Sequence, residues 1–161
     1  TLNDMSYTYE ILDSLKEANL KDIEEIIFPV GTHKKKALFL KEIASRLVND
    51  YNGKVPNNRE YLESLPGVGR KTCNVVLSNL FDYPAIAVDT HVFRVSNRLK
   101  LSESKNVLDC ENDLQELFEE HNWSELHHSL VLFGRYYCKA RNPQCADCVV
   151  REYCNYYKEN K

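Results

Sequence analysis

Leu65-Pro66-Gly67-Val68-Gly69-Arg70-Lys71-Thr72 lies between two stretches of helical character, roughly 58–64 and 70–81, and its reading decides the fold. Proline and two glycines stop one helix and let the chain turn tightly before the next begins. The glycines bring backbone N–H groups close to anything that approaches the turn. The second helix adds its own unpaired N–H groups and the positive end of its dipole. Such a corner binds anions, and a DNA phosphate suits it. A bare Gly-x-Gly is more often an ordinary connection between helices, so the residues around it must carry the argument.

Working outward, the apolar spacing is helical almost throughout. Stripes run through Thr8, Ile11, Leu12 and Leu15; Leu40, Ile43, Ala44, Leu47 and Val48; and Val88, Val92, Val95 and Leu99. They continue at Val107, Cys110, Leu114, Leu117 and Phe118, and at Leu126, Leu130 and Phe133. Pro84 to Val88 is a short apolar run, too isolated to build a sheet. The expectation is an all-α protein. With 161 residues, 43% apolar and 28% charged, the chain fits one folded domain or two small lobes and not a disordered tail. No window approaches 18 unbroken apolar residues, which excludes a helical membrane span, and no signal or transit pattern opens the chain. Helical periodicity starts almost directly after Thr1-Leu2-Asn3-Asp4, so a further segment is expected upstream.

The net charge of −3 hides a strong polarity. Residues 31–100 hold 12 Lys and Arg against 6 Asp and Glu, including the run Lys34-Lys35-Lys36, whereas residues 102–127 hold one Lys against eight carboxylates. A phosphate-binding face can therefore exist without a basic isoelectric point.

Lys71 raises the odds for chemistry at the turn. In the first turn of a helix, the dipole and any desolvation favour the neutral amine, a nucleophile able to form a Schiff base with a sugar carbon. Beside Arg70 it could equally serve only to neutralise phosphates. Further on, Ile86-Ala87-Val88-Asp89-Thr90-His91 leads into another helix. Asp89 or Thr90 is a good N-cap, a structural role that suffices by itself. A carboxylate there also supports positive charge developing on a sugar.

Four of the six cysteines, Cys138, Cys145, Cys148 and Cys154, fall within 17 residues. A chain of this size without a secretion signal needs no disulfide staples, so a reducing, intracellular compartment and a metal centre are expected. Four thiolates suit either zinc or an iron–sulfur cluster. The loop between them is too poor in apolar residues to bury unrelated cysteines. Lys139, Arg141 and Arg151 in this loop are placed to reach phosphates. Cys73 and Cys110 stand alone inside helical patterns. His121, His127 and His128 are read as ordinary polar-face residues, since adjacent histidines on a helix point in different directions.

Taken together, the motifs LPGVGRKT (65–72), VDTH (88–91) and C-x6-C-x2-C-x5-C (138–154) resemble endonuclease III of the helix-hairpin-helix DNA glycosylase superfamily. The resemblance covers nearly the whole chain. It implies two all-α lobes with DNA in the cleft between them: a helical barrel domain, 1–83, ending in the helix-hairpin-helix (58–81), and an iron–sulfur cluster domain, 84–161. It implies a bifunctional glycosylase and AP lyase that removes oxidised pyrimidines from duplex DNA, or acts at abasic sites, as a monomer. Lys71 matches the family's catalytic lysine and Asp89 its catalytic aspartate. Cys138, Cys145, Cys148 and Cys154 match the ligands of a [4Fe-4S] cluster. Gly67, Gly69, Arg70, Lys139 and Arg141 are the expected DNA contacts, and Val30 and Thr32 fall at the wedge that enters the duplex. Phe28-Pro29-Val30-Gly31 is closer to eukaryotic members, which implies a nucleus or organelle; a bacterial chain would reside in the cytoplasm. An adenine glycosylase for mispairs shares the aspartate and the cluster but usually lacks the lysine. A non-catalytic hairpin module that only grips DNA needs neither Asp89 nor the four cysteines.

Overall fold

A computed structural model describes residues 5–160; the opening Thr1 to Asp4 lies outside the described residues, as does the side chain of Thr8. The described chain is helical, without strands. It divides into two compact units, one ending at Gly69 and one beginning at Arg70.

The first unit contains α1 (Met5–Glu17), α2 (Leu20–Ile26), α3 (His33–Tyr51) and α4 (Arg59–Ser64). Asn19 and Asn58 cap α2 and α4 by accepting from Lys21 N and Tyr61 N. Both α1 and α2 pack on α3, which buries Ala37 and, from the stripe read in the sequence, Ala44, Leu47 and Val48. Lys34, Lys35 and Lys36 stay exposed on its first turn. The turn after α4 closes with Val68 N donating to Leu65 O at 3.1 Å.

The second unit contains α5 (Arg70–Phe81), an extended segment 84–89, α6 (Thr90–Leu99), α7 (Val107–Leu117), α8 (Trp123–Tyr136), the cysteine loop and the short α9 (Asn155–Glu159). Helix α6 packs against α7, α8 and α9, and its Val92 and Val95 join Ile86, Val88, Cys110, Leu114 and Leu130 in one core. Residues 85–88 of this run are buried although it forms no sheet. Its backbone is tied instead by Asn74 Nδ2, which donates to Ile86 O at 3.1 Å. Within the second unit α5 buries Cys73, Asn74 and Leu77, and Asn74 ties α5 to the segment leading into α6. The hairpin's turn thus ends the first unit and its second helix opens the other. Cys73 and Cys110 are fully buried core residues.

Candidate active site and metal centre

Asp89 is the N-cap of α6. Its backbone is extended and its Oδ1 accepts from His91 N at 2.8 Å and Val92 N at 2.9 Å. Both bonds fall on one oxygen, so Oδ2 is not committed to the cap. The buried segment 85–88 fixes where this carboxylate emerges, half-buried, at the surface. Lys71 is exposed on the first turn of α5. The two side chains line one open cavity, with about 940 Å³ of space between atoms including its solvent-filled mouth, together with Thr90, His91 and Arg135. The fold thus brings together a lysine and a carboxylate 18 positions apart, which sequence spacing alone cannot do.

A third titratable group adjoins them. Burial pushes the imidazole of His127 below its ordinary range; the neighbouring His128 and Lys71 act in the same direction, while Asp89 and a hydrogen bond to the Ala87 backbone oppose. Its Nδ1 is buried without a hydrogen-bond partner among the described residues. An imidazole that resists protonation therefore stands close to the lysine and aspartate. The sequence carried a signal for this placement: His127 lies three and seven residues before the buried Leu130 and Gly134, on the inner face of α8.

Arg70, an expected phosphate contact, is paired with a carboxylate in this structure. Its guanidinium forms a bidentate ion pair with Glu111, at 2.9 Å from Nε to Oε2 and 2.9 Å from Nη2 to Oε1. Gly67 has φ +75°, and a Cβ there would fall 2.5 Å from the Phe39 ring, so only glycine fits. Around Gly69 the space is open, which leaves its backbone accessible. In the first unit, the connection from α2 to α3 presents Phe28 and Val30 to solvent. Thr32, at φ 60°, donates its hydroxyl to Gly31 O.

Cys138, Cys145, Cys148 and Cys154 line one small apolar space of about 350 Å³ between atoms, with Leu99, Phe133 and Tyr157 among its other walls. Burial, then the proximity of Cys138, Cys148 and Cys154, pushes the Cys145 thiol up, and Arg98 opposes this. Among the described residues no three His, Cys, Asp or Glu side chains close on a single-ion site. Four soft donors disposed around a space, and mutually repelling as thiolates, fit a polynuclear iron group held at its corners.

Two arginines absent from the sequence reading hold the start of this loop. Arg94 donates to Gly134 O and Cys138 O at 2.7 and 3.0 Å. Arg98 donates to Lys139 O at 2.7 Å, reaches Cys138 Sγ at 3.3 Å, and stacks over Tyr156. Their spacing of four on α6 places both on one helix face. The Lys139 and Arg141 side chains are exposed, whereas Arg151 turns back to the Ala146 carbonyl.

An all-helical chain with a turn of this kind, a lysine and an aspartate on one cavity, and a four-cysteine loop has a defined class: it belongs to the HhH-GPD superfamily of base excision DNA repair proteins, whose profile matches residues 6–120. Within that superfamily it is a relative of endonuclease III, and residues 138–154 match the iron–sulfur binding domain of endonuclease III, a [4Fe-4S] site. The chain is 45% identical over 136 residues to endonuclease III of Bacillus subtilis (strain 168), covering 84% of this chain and 62% of that protein. It is 41% identical over 150 residues to endonuclease III of Rickettsia conorii, covering 93% and 71%. A solved structure of a trapped endonuclease III–DNA covalent intermediate superimposes with a TM-score of 0.87 at 41% identity, covering 92% of this chain and 70% of that one.

Proposed function

We propose that this chain is a bifunctional DNA glycosylase and AP lyase acting on oxidised pyrimidines and abasic sites in duplex DNA, with Lys71 as nucleophile and Asp89 as its partner. The observation that carries the reading is the shared cavity of Lys71 and Asp89. The structural match to an endonuclease III trapped covalently on DNA supports it.

The damaged nucleotide leaves the stack, at lower cost than an intact one because its pairing and stacking are already weakened. The lone pair of Lys71 Nζ attacks C1′; the bond from C1′ to the base breaks and the base departs with that electron pair, as an anion that water then protonates. Asp89, through the oxygen not used in the helix cap, receives the proton shed by the lysine nitrogen and stabilises positive charge on the sugar. Returning a proton to the ring oxygen opens the sugar and leaves an iminium between Lys71 and C1′. Loss of a C2′ proton then expels the 3′ phosphate, cutting the strand on that side. Cys138, Cys145, Cys148 and Cys154 hold the cluster, which supplies order to the loop carrying Lys139 and Arg141. Gly67, Gly69 and the start of α5 offer backbone N–H groups to phosphate, and Val30 and Thr32 stand at the wedge.

The test is incubation with duplexes bearing an abasic site or thymine glycol, with and without borohydride, which reduces the iminium to a stable amine. The expected result is DNA covalently attached at Lys71 and no adduct from Lys71→Ala. An adduct formed as well by Lys71→Ala assigns the nucleophile elsewhere.

A further inference from the structure

We propose that Glu111, together with Asn74, is a positioning residue that holds Lys71 in register with Asp89, and that Arg70 is the clamp of this device and not a phosphate contact. The proposal rests on Lys71 and Asp89 being the reacting pair.

Glu111 is 3% exposed, within the stretch 102–127 that holds eight carboxylates against one Lys. A carboxylate withdrawn from water persists only when its oxygens are well satisfied. Three N–H groups do this: Arg70 Nε on Oε2, Arg70 Nη2 on Oε1, and Asn74 Nδ2 on Oε1 at 3.1 Å. Asn74, itself 1% exposed, also donates to Ile86 O. A continuous polar chain thus runs from the first residue of α5, through α7, to a carbonyl three residues before Asp89.

Its two attachment points on α5 are Arg70 and Asn74, and Lys71 lies between them. Without the clamp, nothing else on the first turn is buried: Arg70, Lys71 and Thr72 are all exposed, and burial begins at Cys73. The planar fork of Arg70 fixes direction as well as distance, which a lysine ammonium does not. Half of the Arg70 side chain remains in solvent, yet the nitrogens that would grip a phosphate bidentately are turned to Glu111. A surface ion pair would have little effect on stability. This one is anchored to a buried acid, one residue from the nucleophile.

Two variants separate positioning from phosphate binding. Arg70→Lys keeps the charge but loses the fork. Glu111→Gln keeps the packing but turns an amide donor toward one of the three N–H groups. The readout is the single-turnover rate of borohydride trapping on an abasic duplex at saturating enzyme, per active site, with the half-saturating concentration measured separately. Both variants should lose about tenfold or more in the saturated rate, since small misplacements of reacting groups are costly, with half-saturation within about twofold of wild type. Saturated rates within twofold of wild type overturn the proposal. So does a loss confined to half-saturation, which would restore Arg70 as a phosphate contact, or one explained by the folded fraction alone. Amide hydrogen exchange on the free protein is independent of the chemistry. It should quicken jointly at residues 71–74 and 86–92 in both variants, and unchanged protection there overturns the clamp. A wild-type chain that traps no DNA sinks the lyase reading, and the exchange result then decides the clamp alone.

Discussion

His127 shows how one residue couples the site to stability. Its imidazole is held below the ordinary histidine range by burial first, with Lys71 and His128 adding to the effect. The unfolded chain takes up a proton near pH 6.5, whereas the folded chain resists protonation until lower pH. The stability tied to His127 is therefore fully present above about pH 6.5 and declines as pH falls from there toward the folded value. His127→Asn should flatten the urea midpoint against pH across that acid interval and leave it unchanged at pH 8 apart from a constant offset. An identical acid slope in the variant would place the titrating group elsewhere. Asp89 allows a sharper separation, because one side chain has two duties on different atoms. Asn caps helices about as well as Asp, so Asp89→Asn should stay within a few tenths of a kcal/mol of wild type, while Asp89→Ala should cost about 1 kcal/mol. Trapping of an abasic duplex should slow about 100-fold or more in both, through loss of the carboxylate. Denaturation and trapping rates measured side by side check this; if trapping followed stability instead, Asp89 would be a cap and nothing more.

At the scale of elements, the turn between α4 and α5 divides its two glycines between structure and function. Gly67 is required by the chain itself, through its left-handed backbone and the Phe39 ring beside it. Gly67→Ala should destabilise the protein by about 1–2 kcal/mol, the cost of a side chain in that conformation, with more if Phe39 cannot move aside. Gly69 has no such constraint, and Gly69→Ala should remain within about 0.5 kcal/mol of wild type in urea denaturation. Its methyl group would stand where a phosphate approaches the backbone, so duplex binding should weaken although stability does not. The helices were legible because the apolar stripes at Ala44, Leu47 and Val48 and at Val92 and Val95 do face their cores. Val107 and Leu117 of the α7 stripe are about half exposed, whereas Phe118 at its end packs against the core. The segment 84–88 was legible as apolar but not in its bonding, because its tie comes from a side chain twelve residues earlier. The Arg70–Glu111 pair spans 41 positions; Glu111 lies three residues before the buried Leu114, on the inner face of α7, but nothing in the local pattern names Arg70 as its partner.

On the scale of the whole molecule, the cysteine loop has no core of its own: Val149 and Tyr153 are more than four-fifths exposed, and regular structure is limited to one short turn. Its order comes from both ends. Arg94 and Arg98 fix the backbone at 138–140, and the four cysteines gather around the space that an iron–sulfur cluster fills. The motif spacing made the cluster readable in the sequence, whereas the two arginines were hidden among the polar residues of α6. Removing the cluster should therefore release the loop beyond residue 140 while α6, capped at Asp89, stays folded. Arg141 would then no longer be held by an ordered loop, whereas Lys139 stays with the backbone that Arg98 fixes. Each ordered cation lost should reduce the slope of log affinity against log salt by about 1, so the cluster-free protein should bind duplex DNA with a slope shallower by about 1. The saturated trapping rate should change by less than about threefold, because Lys71 and Asp89 lie on elements that the cluster does not order. Salt titrations of affinity and single-turnover trapping, on protein before and after iron removal, measure the two effects separately. A collapse of the saturated rate with an unchanged salt slope would reverse the assignment and make the cluster part of the catalytic geometry.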